Sequence, residues 1–182
     1  TSAKNLLVSA PACDNGAGNT VVALRNMISG SLQVMSQPRG VACLSGSATK
    51  PDMDYSGRKL VFQSSQPLTP GATSRAETYL VAAGVLNQVS VDTLGTQVDE
   101  GSDEPSISGD GLQIAFTSRA LGYALSDTTG EPQVRHVVVR DLRRDLVRRL
   151  SRNLNGVGAN GDSRRPSLSY TGDVISFDSQ AS

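Results

Sequence analysis

The segment PSISGDGLQIAFTS (105–118) alternates polar and apolar positions on both sides of a glycine turn. Ile107 precedes the turn, and Ile114 and Phe116 follow it with the period of two expected of half-buried strands. A glycine in the turn supplies the positive φ that a tight hairpin needs. The same plan recurs in PDMDYSGRKLVFQS (51–64) and PSLSYTGDVISFDS (166–179). Each opens on proline, turns at glycine and closes on a Phe-bearing strand that ends in serine. Phe62 and Phe116 are 54 residues apart, and Phe116 and Phe177 are 61 apart. Recurrence of this kind means a repeat architecture. Another 54 residues upstream of Phe62 stands Val8, within NLLVSAP, which reads as the second strand of a unit lacking its first.

The stretches between these hairpins repeat as well. VVALRNMISGSLQVMS (21–36) matches VVVRDLRRDLVRRLS (137–151) at an offset of 115, and YLVAAGVLNQVSVDT (79–93) fits more loosely. The extra seven residues fall in one loop, because Leu6 to Val22 spans 16 residues and Ile114 to Val137 spans 23. A helix competes locally: Leu142, Leu146, Leu150 and Leu154 are four apart among arginines, an amphipathic pattern. Register favours a hairpin, since the matching Ile28, Ser29 and Gly30 are poor residues for a helix interior. Four short strands per unit at this period predict the blades of a β-propeller.

At this point the sequence resembles a known family. PSISGDGLQIAFTS and VVVRDL (137–142) are similar to the TolB-like, PD40-type (WD40-like) propeller repeat, which runs P-S-W-S-P-D-G, then F-x-S, then D-L. The chain has no tryptophan, and Met53, Ile107 and Leu168 take that place; the turn aspartate survives only as Asp110, with Ser56 and Thr171 at the other copies. The expected fold is all-β, one partial β-propeller over residues 1–182 with blades of four antiparallel strands. Two complete blades (51–93 and 105–151) are flanked by two incomplete ones, 1–40 without its first strand and 166–182 with only its first two. Closed propellers need roughly four to eight blades. Further blades, from a longer polypeptide or a covering subunit, are therefore expected at the open ends. The resemblance also implies an exported protein, periplasmic or extracellular.

Charge is balanced at 17 basic and 17 acidic residues, but the signs are separated. VDEGSDE (98–104) is acidic, whereas nine arginines lie between Arg135 and Arg165. That basic stretch holds no aromatic for base stacking, which argues against nucleic acid; arginines on an outer strand also deter edge pairing. No apolar run approaches the roughly 20 residues of a membrane span. In a propeller the two-to-three and four-to-one loops share a face. Cys13 and Cys43 fall in such loops of adjoining units, which favours a disulfide and an oxidising compartment; two unrelated buried thiols are the alternative.

Catalytic chemistry has little to stand on. His136 opens a strand beside Val137, Val138 and Val139 and reads as a blade-edge residue. No G-x-S-x-G elbow and no zinc spacing occur. Asp127 and Glu131, around Gly130, are a weak candidate for Ca²⁺, without the carboxylate density of a calcium loop; no other cofactor is expected. NGVGANGDS (155–163) lacks the lysine and helix of a phosphate loop and reads as an inter-blade connection.

The expected function is therefore a non-enzymatic scaffold that binds a protein or polysaccharide. The alternatives are an accessory propeller of a larger hydrolase or peptidase, and a structural subunit of an extracellular assembly. The long loops (11–20, 37–50, 65–77, 93–104, 119–135 and 152–165) share one face and should carry binding. Asp99, Glu100, Asp103 and Glu104 are expected there before one blade, and Arg164 and Arg165 before the next.

Overall fold

The computed structural model describes residues 19–36, 46–120, 122–123, 133–153 and 155–182. Among them every element is a strand. In chain order they are β1 (Ala23–Arg25), β2 (Leu32–Val34), β3 (Ala48–Met53), β4 (Lys59–Ser64), β5 (Glu77–Ala82) and β6 (Val85–Gln88). The second half holds β7 (Ser102–Ile107), β8 (Gln113–Ser118), β9 (His136–Asp141), β10 (Leu146–Arg149), β11 (Ser163–Leu168) and β12 (Ile175–Ser179). They form four antiparallel sheets: β1-β2, β3-β4-β5-β6, β7-β8-β9-β10 and β11-β12. Two four-stranded blades thus lie between two two-stranded ones. Leu142–Asp145 is the turn of the β9–β10 hairpin, which excludes the helical alternative.

Blades adjoin through a bond that recurs three times. The first-strand amide of Ala48, Ser102 and Ser163 donates to the carbonyl just ahead of the preceding blade's third strand, that of Thr20, Ala76 and Arg135, at 2.9, 2.7 and 2.7 Å. The first strands β3, β7 and β11 lie against one another, so they are the inner strands and β6 and β10 the outer ones.

Each inner strand begins three residues before the proline that marks the repeat. Proline has no N–H to give a ladder and belongs at bulges. Here two residues, Lys50-Pro51, Glu104-Pro105 and Arg165-Pro166, stand against one on the neighbouring strand. The residue before each proline takes the left-handed conformation, with φ of 53°, 52° and 53°, the conformation of the first residue in a G1-type bulge. The single residues opposite the bulges are Phe62, Phe116 and Phe177.

The core lies between blades, as alternation requires. Val22, Ala48, Leu60, Phe62, Leu68, Tyr79 and Val81 form one cluster. Val61 and Leu80, from the other face of the same sheet, join Ile107, Ile114, Phe116, Tyr123, Val138 and Val147 in the next. Phe62 stacks on Tyr79 (ring centroids 5.9 Å apart), and Phe116 meets Tyr123 edge-on at 5.3 Å. Phe177, at the equivalent register position, is not buried like these two: it is 36% exposed, because no third strand among the described residues covers β12. Val8 lies outside the described residues.

Candidate binding site on the long-loop face

The two faces of the blade row differ in how they are closed. At the short turns Tyr55, Gly109 and Tyr170 occupy equivalent places in three successive blades. The Tyr55 amide donates to the Gly109 carbonyl (2.9 Å), and the Asp110 amide donates to that of Tyr170 (2.8 Å). The two tyrosine rings meet edge-on at 5.8 Å. A side chain at Gly109 would collide with Tyr170, its Cβ falling 2.4 Å from a ring carbon.

Among the described residues, the long-loop face is open. A cleft of about 470 Å³ lies between the second and third blades, lined by Arg75, Glu100, Asp103, Arg119 and Arg135 among others. Its base is rigid: the Ser102 amide donates to Ala76, and a Cβ on Gly101 would lie 2.6 Å from the Ala76 oxygen. Arg119 follows β8 and Arg135 precedes β9, so both ends of one two-to-three loop present a guanidinium. Ser118 anchors the first end, its hydroxyl donating to the Gly101 carbonyl (2.7 Å) and accepting from the Ala120 amide (3.1 Å). The other end is held through the Arg135 amide, which donates to Asp162 at 2.8 Å.

Of the residues expected on this face, Asp99 and Glu100 are exposed in the four-to-one loop. Asp103, Glu104, Arg164 and Arg165 are not loop residues; they lie in β7 and β11, because each inner strand starts ahead of its bulge. They also bind one another's blades. Lys50 pairs with Asp103 at 2.5 Å, and Arg135 stands 3.5 Å from the same carboxylate. Glu104 accepts the Arg165 amide at 2.9 Å, and Arg165 pairs with Asp178 at 2.5 Å. Asp162 gathers Arg164 (2.7 Å) and Arg119 (3.7 Å). The Arg135 amide and the Arg164 guanidinium hold the Asp162 carboxyl below its usual range. Arg75 and Arg119 were not singled out in the sequence; the signal was an arginine at the margin of two two-to-three loops, 65–77 and 119–135. Asp127, Glu131, Cys13 and Cys43 lie outside the described residues.

Two buried titratable groups stand at equivalent positions, Glu77 opening β5 and His136 opening β9. Ser90 donates to Glu77 (2.7 Å), and Ser151 lies 3.0 Å from His136 Nδ1. The same serines accept the amides of Thr78 and Val137, as Ser36 accepts that of Val22. Burial pushes the Glu77 carboxyl up to about 7 against the bonds from Ser90 and Gln97. Both residues have no exposed surface, so no substrate reaches them in this structure, and His136 is an interior residue of a third strand, not the blade-edge residue expected. A larger cleft of about 620 Å³ opens nearer the outer strands. Its one cation, Arg140, is tied to Asp145 and to the carbonyls of Val91 and Asp92. No cluster of three or more potential metal ligands occurs among the described residues, and no helix among them is long and apolar enough to cross a membrane.

No protein-family model and no curated protein matches the sequence. Among solved structures the chain is similar to TolB from Acinetobacter baumannii, at 18% identity and a TM-score of 0.47 over 86% of this chain. It is also similar to a chain from a study of two prolyl endopeptidases, at 16% identity and 0.49 over 87%. It spans 31% and 22% of the lengths of those chains. The blade assignment stands on the chain's own threefold repeat, not on these likenesses.

Proposed function

We propose that the chain is a non-enzymatic propeller scaffold that holds a protein or polysaccharide partner on its long-loop face, in a periplasmic or extracellular setting. The observation that carries this reading is the asymmetry of the faces. On the short-turn face Tyr55, Gly109 and Tyr170 tie successive blades together through backbone bonds and an edge-on ring pair, with both rings well exposed and no cleft between them. The other presents a polar cleft between two blades, lined by Arg75, Glu100, Asp103, Arg119 and Arg135. Function concentrates where a rigid scaffold positions loops. The experiment is a binding screen of the immobilised protein against acidic, basic and neutral polysaccharides and a displayed peptide library, at low and high salt. Reversing Asp99 and Glu100 together to lysine should change retention and its salt dependence, while Tyr55→Ser with Tyr170→Ser should not. The reverse outcome would place binding on the short-turn face.

A structural role in an assembly has one observation in its favour: among the described residues β12 pairs only with β11, and its Phe177 is exposed. An accessory role beside a hydrolase or peptidase needs catalytic residues outside these 182, and hydrolysis of peptide esters by the isolated chain would overturn the non-enzymatic reading.

A further inference from the structure

We infer that the cleft between the second and third blades is a carboxylate-binding site, and that it takes an acidic segment of a partner protein. The inference rests on the long-loop face being the binding face and names the chemistry of that binding. Three guanidinium groups, those of Arg75, Arg119 and Arg135, line one cavity. The carboxylates near them are already engaged. Asp103 receives Lys50 at 2.5 Å and the Glu104 amide at 2.8 Å before Arg135 reaches it at 3.5 Å. Asp162 holds Arg164 at 2.7 Å and the Arg135 amide at 2.8 Å, leaving Arg119 at 3.7 Å. Among the described residues only Glu100, which is exposed, offsets the cations from within the cleft without such ties.

Arg135 is the most buried of the three, and water cannot make up for its poor contacts. Its Nη1 contacts to Thr117 and Asp103 are long, at 3.3 and 3.5 Å, and its buried Nε donor has no acceptor. A buried donor without an acceptor is costly, and a guanidinium fork is matched by two carboxylate oxygens. A small turn of this side chain toward an anion in the cleft would satisfy both needs. The cavity falls within the roughly 300–1,000 Å³ of small-ligand sites, room for one or two side chains and not for a domain. No aromatic residue is among its described lining, so a sugar ring finds no face there to stack on. That favours an acidic peptide over an acidic polysaccharide.

The test uses a labelled peptide of five glutamates between glycine-serine flanks, capped at both ends, with a five-glutamine control. A third peptide is uncapped to expose its C-terminal carboxylate, and polygalacturonate is the glycan arm. Binding is read by fluorescence anisotropy at 50 and 200 mM salt. The glutamate peptide should bind and weaken with salt, and the glutamine peptide should not bind. Arg75→Gln with Arg119→Gln should weaken binding about tenfold, while thermal unfolding stays in place because both side chains are exposed. Glu100→Gln should tighten it a few-fold. Arg135→Lys, which keeps the charge and loses the fork, should weaken it as well. Tighter binding of the uncapped peptide would identify a chain terminus as the source of the carboxylate, and equal binding an acidic side chain. Equal binding of the glutamine peptide, binding of polygalacturonate alone, or no binding at all overturns the inference. If the arginine pair is silent while reversal of Asp99 and Glu100 abolishes binding, the cleft assignment falls and the face assignment survives. If only the Tyr55 and Tyr170 variants matter, both fall.

Discussion

The third blade and the fourth share a motif and differ in company. Both open on a charged residue in the left-handed conformation before proline, Glu104-Pro105 and Arg165-Pro166, and both set a phenylalanine against that bulge. In the third blade β9 and Tyr123 cover Phe116, which has no exposed surface; in the fourth, β12 has no outer neighbour among the described residues and Phe177 is 36% exposed. The hairpin therefore forms from its own turn, bulge and inner-strand contacts, and burial is added by the third strand. The comparison separates what the motif encodes from what the complete blade contributes.

The largest effect should come from removing the phenylalanines. Phe116→Ala leaves a hole in a closed core and should cost about 3–5 kcal/mol in urea unfolding. Phe177→Ala should cost no more than about 1 kcal/mol, since much of that ring already meets water. Equal losses would mean that the fourth blade is covered in solution, by further strands or another chain.

The two complete blades differ at their buried titratable site, and pH should reveal it. Glu77 has its carboxyl raised to about 7 by burial, above an ordinary value of 4.5. The folded state then holds a proton that the unfolded chain gives up. Stability from this group is fully present below about pH 4.5 and is lost as pH rises toward 7, on the order of 2–3 kcal/mol in all. Asp162 acts in the opposite sense: its carboxyl is lowered from 3.8, so its contribution is present above that value and is lost as pH falls further. Thermal stability should therefore peak between roughly pH 4 and 5. Glu77→Gln should flatten the fall on the alkaline side; an unchanged slope would show that another group carries it.

Much of this fold is legible in the sequence, and the failures have causes. Phe62, Phe116 and Phe177 fix the repeat because a strand pair needs a large apolar residue at one register position. The matched offset between 21–36 and 137–151 correctly outweighs the helical spacing of the leucines, since β9 and β10 form a hairpin. Strand starts are misjudged where charge and proline suggest loop: Ser102–Glu104 and Ser163–Arg165 look solvated, yet a bulge lets the strand pass through Pro105 and Pro166. The cleft is less legible still, because it depends on Arg75 from one blade meeting Arg119 and Arg135 from the next. Nothing local to any of the three arginines encodes that meeting.

A smaller effect tests the serines that close each blade. Ser90 and Ser151 each take the second amide of a third strand and touch the titratable residue beside it. Replacing either with alanine leaves one buried amide without its acceptor, a loss of about 1–2 kcal/mol by chemical denaturation. Similar losses would mean that the amide is the shared reason for the serine. A larger loss at Ser90, growing above pH 7, would assign it to the Glu77 carboxylate.

The smallest expected effect concerns the bulge. Arg165 carries φ of 53° and an ion pair with Asp178, both side chains well exposed. Such a pair contributes little, typically under about 1 kcal/mol. The bond to Glu104 uses the Arg165 backbone amide and survives any side-chain change except proline. Arg165→Ala should thus be nearly silent in thermal unfolding. Glycine adopts the left-handed conformation without the Cβ clash that costs other residues roughly 1–2 kcal/mol, and gives back about 0.5–1 kcal/mol in unfolded-chain entropy. Arg165→Gly should accordingly match or slightly exceed Arg165→Ala in stability. If glycine is clearly worse than alanine, the left-handed bulge is not a feature of the fourth blade in solution, and the likeness between the third and fourth blades ends at the hairpin turn.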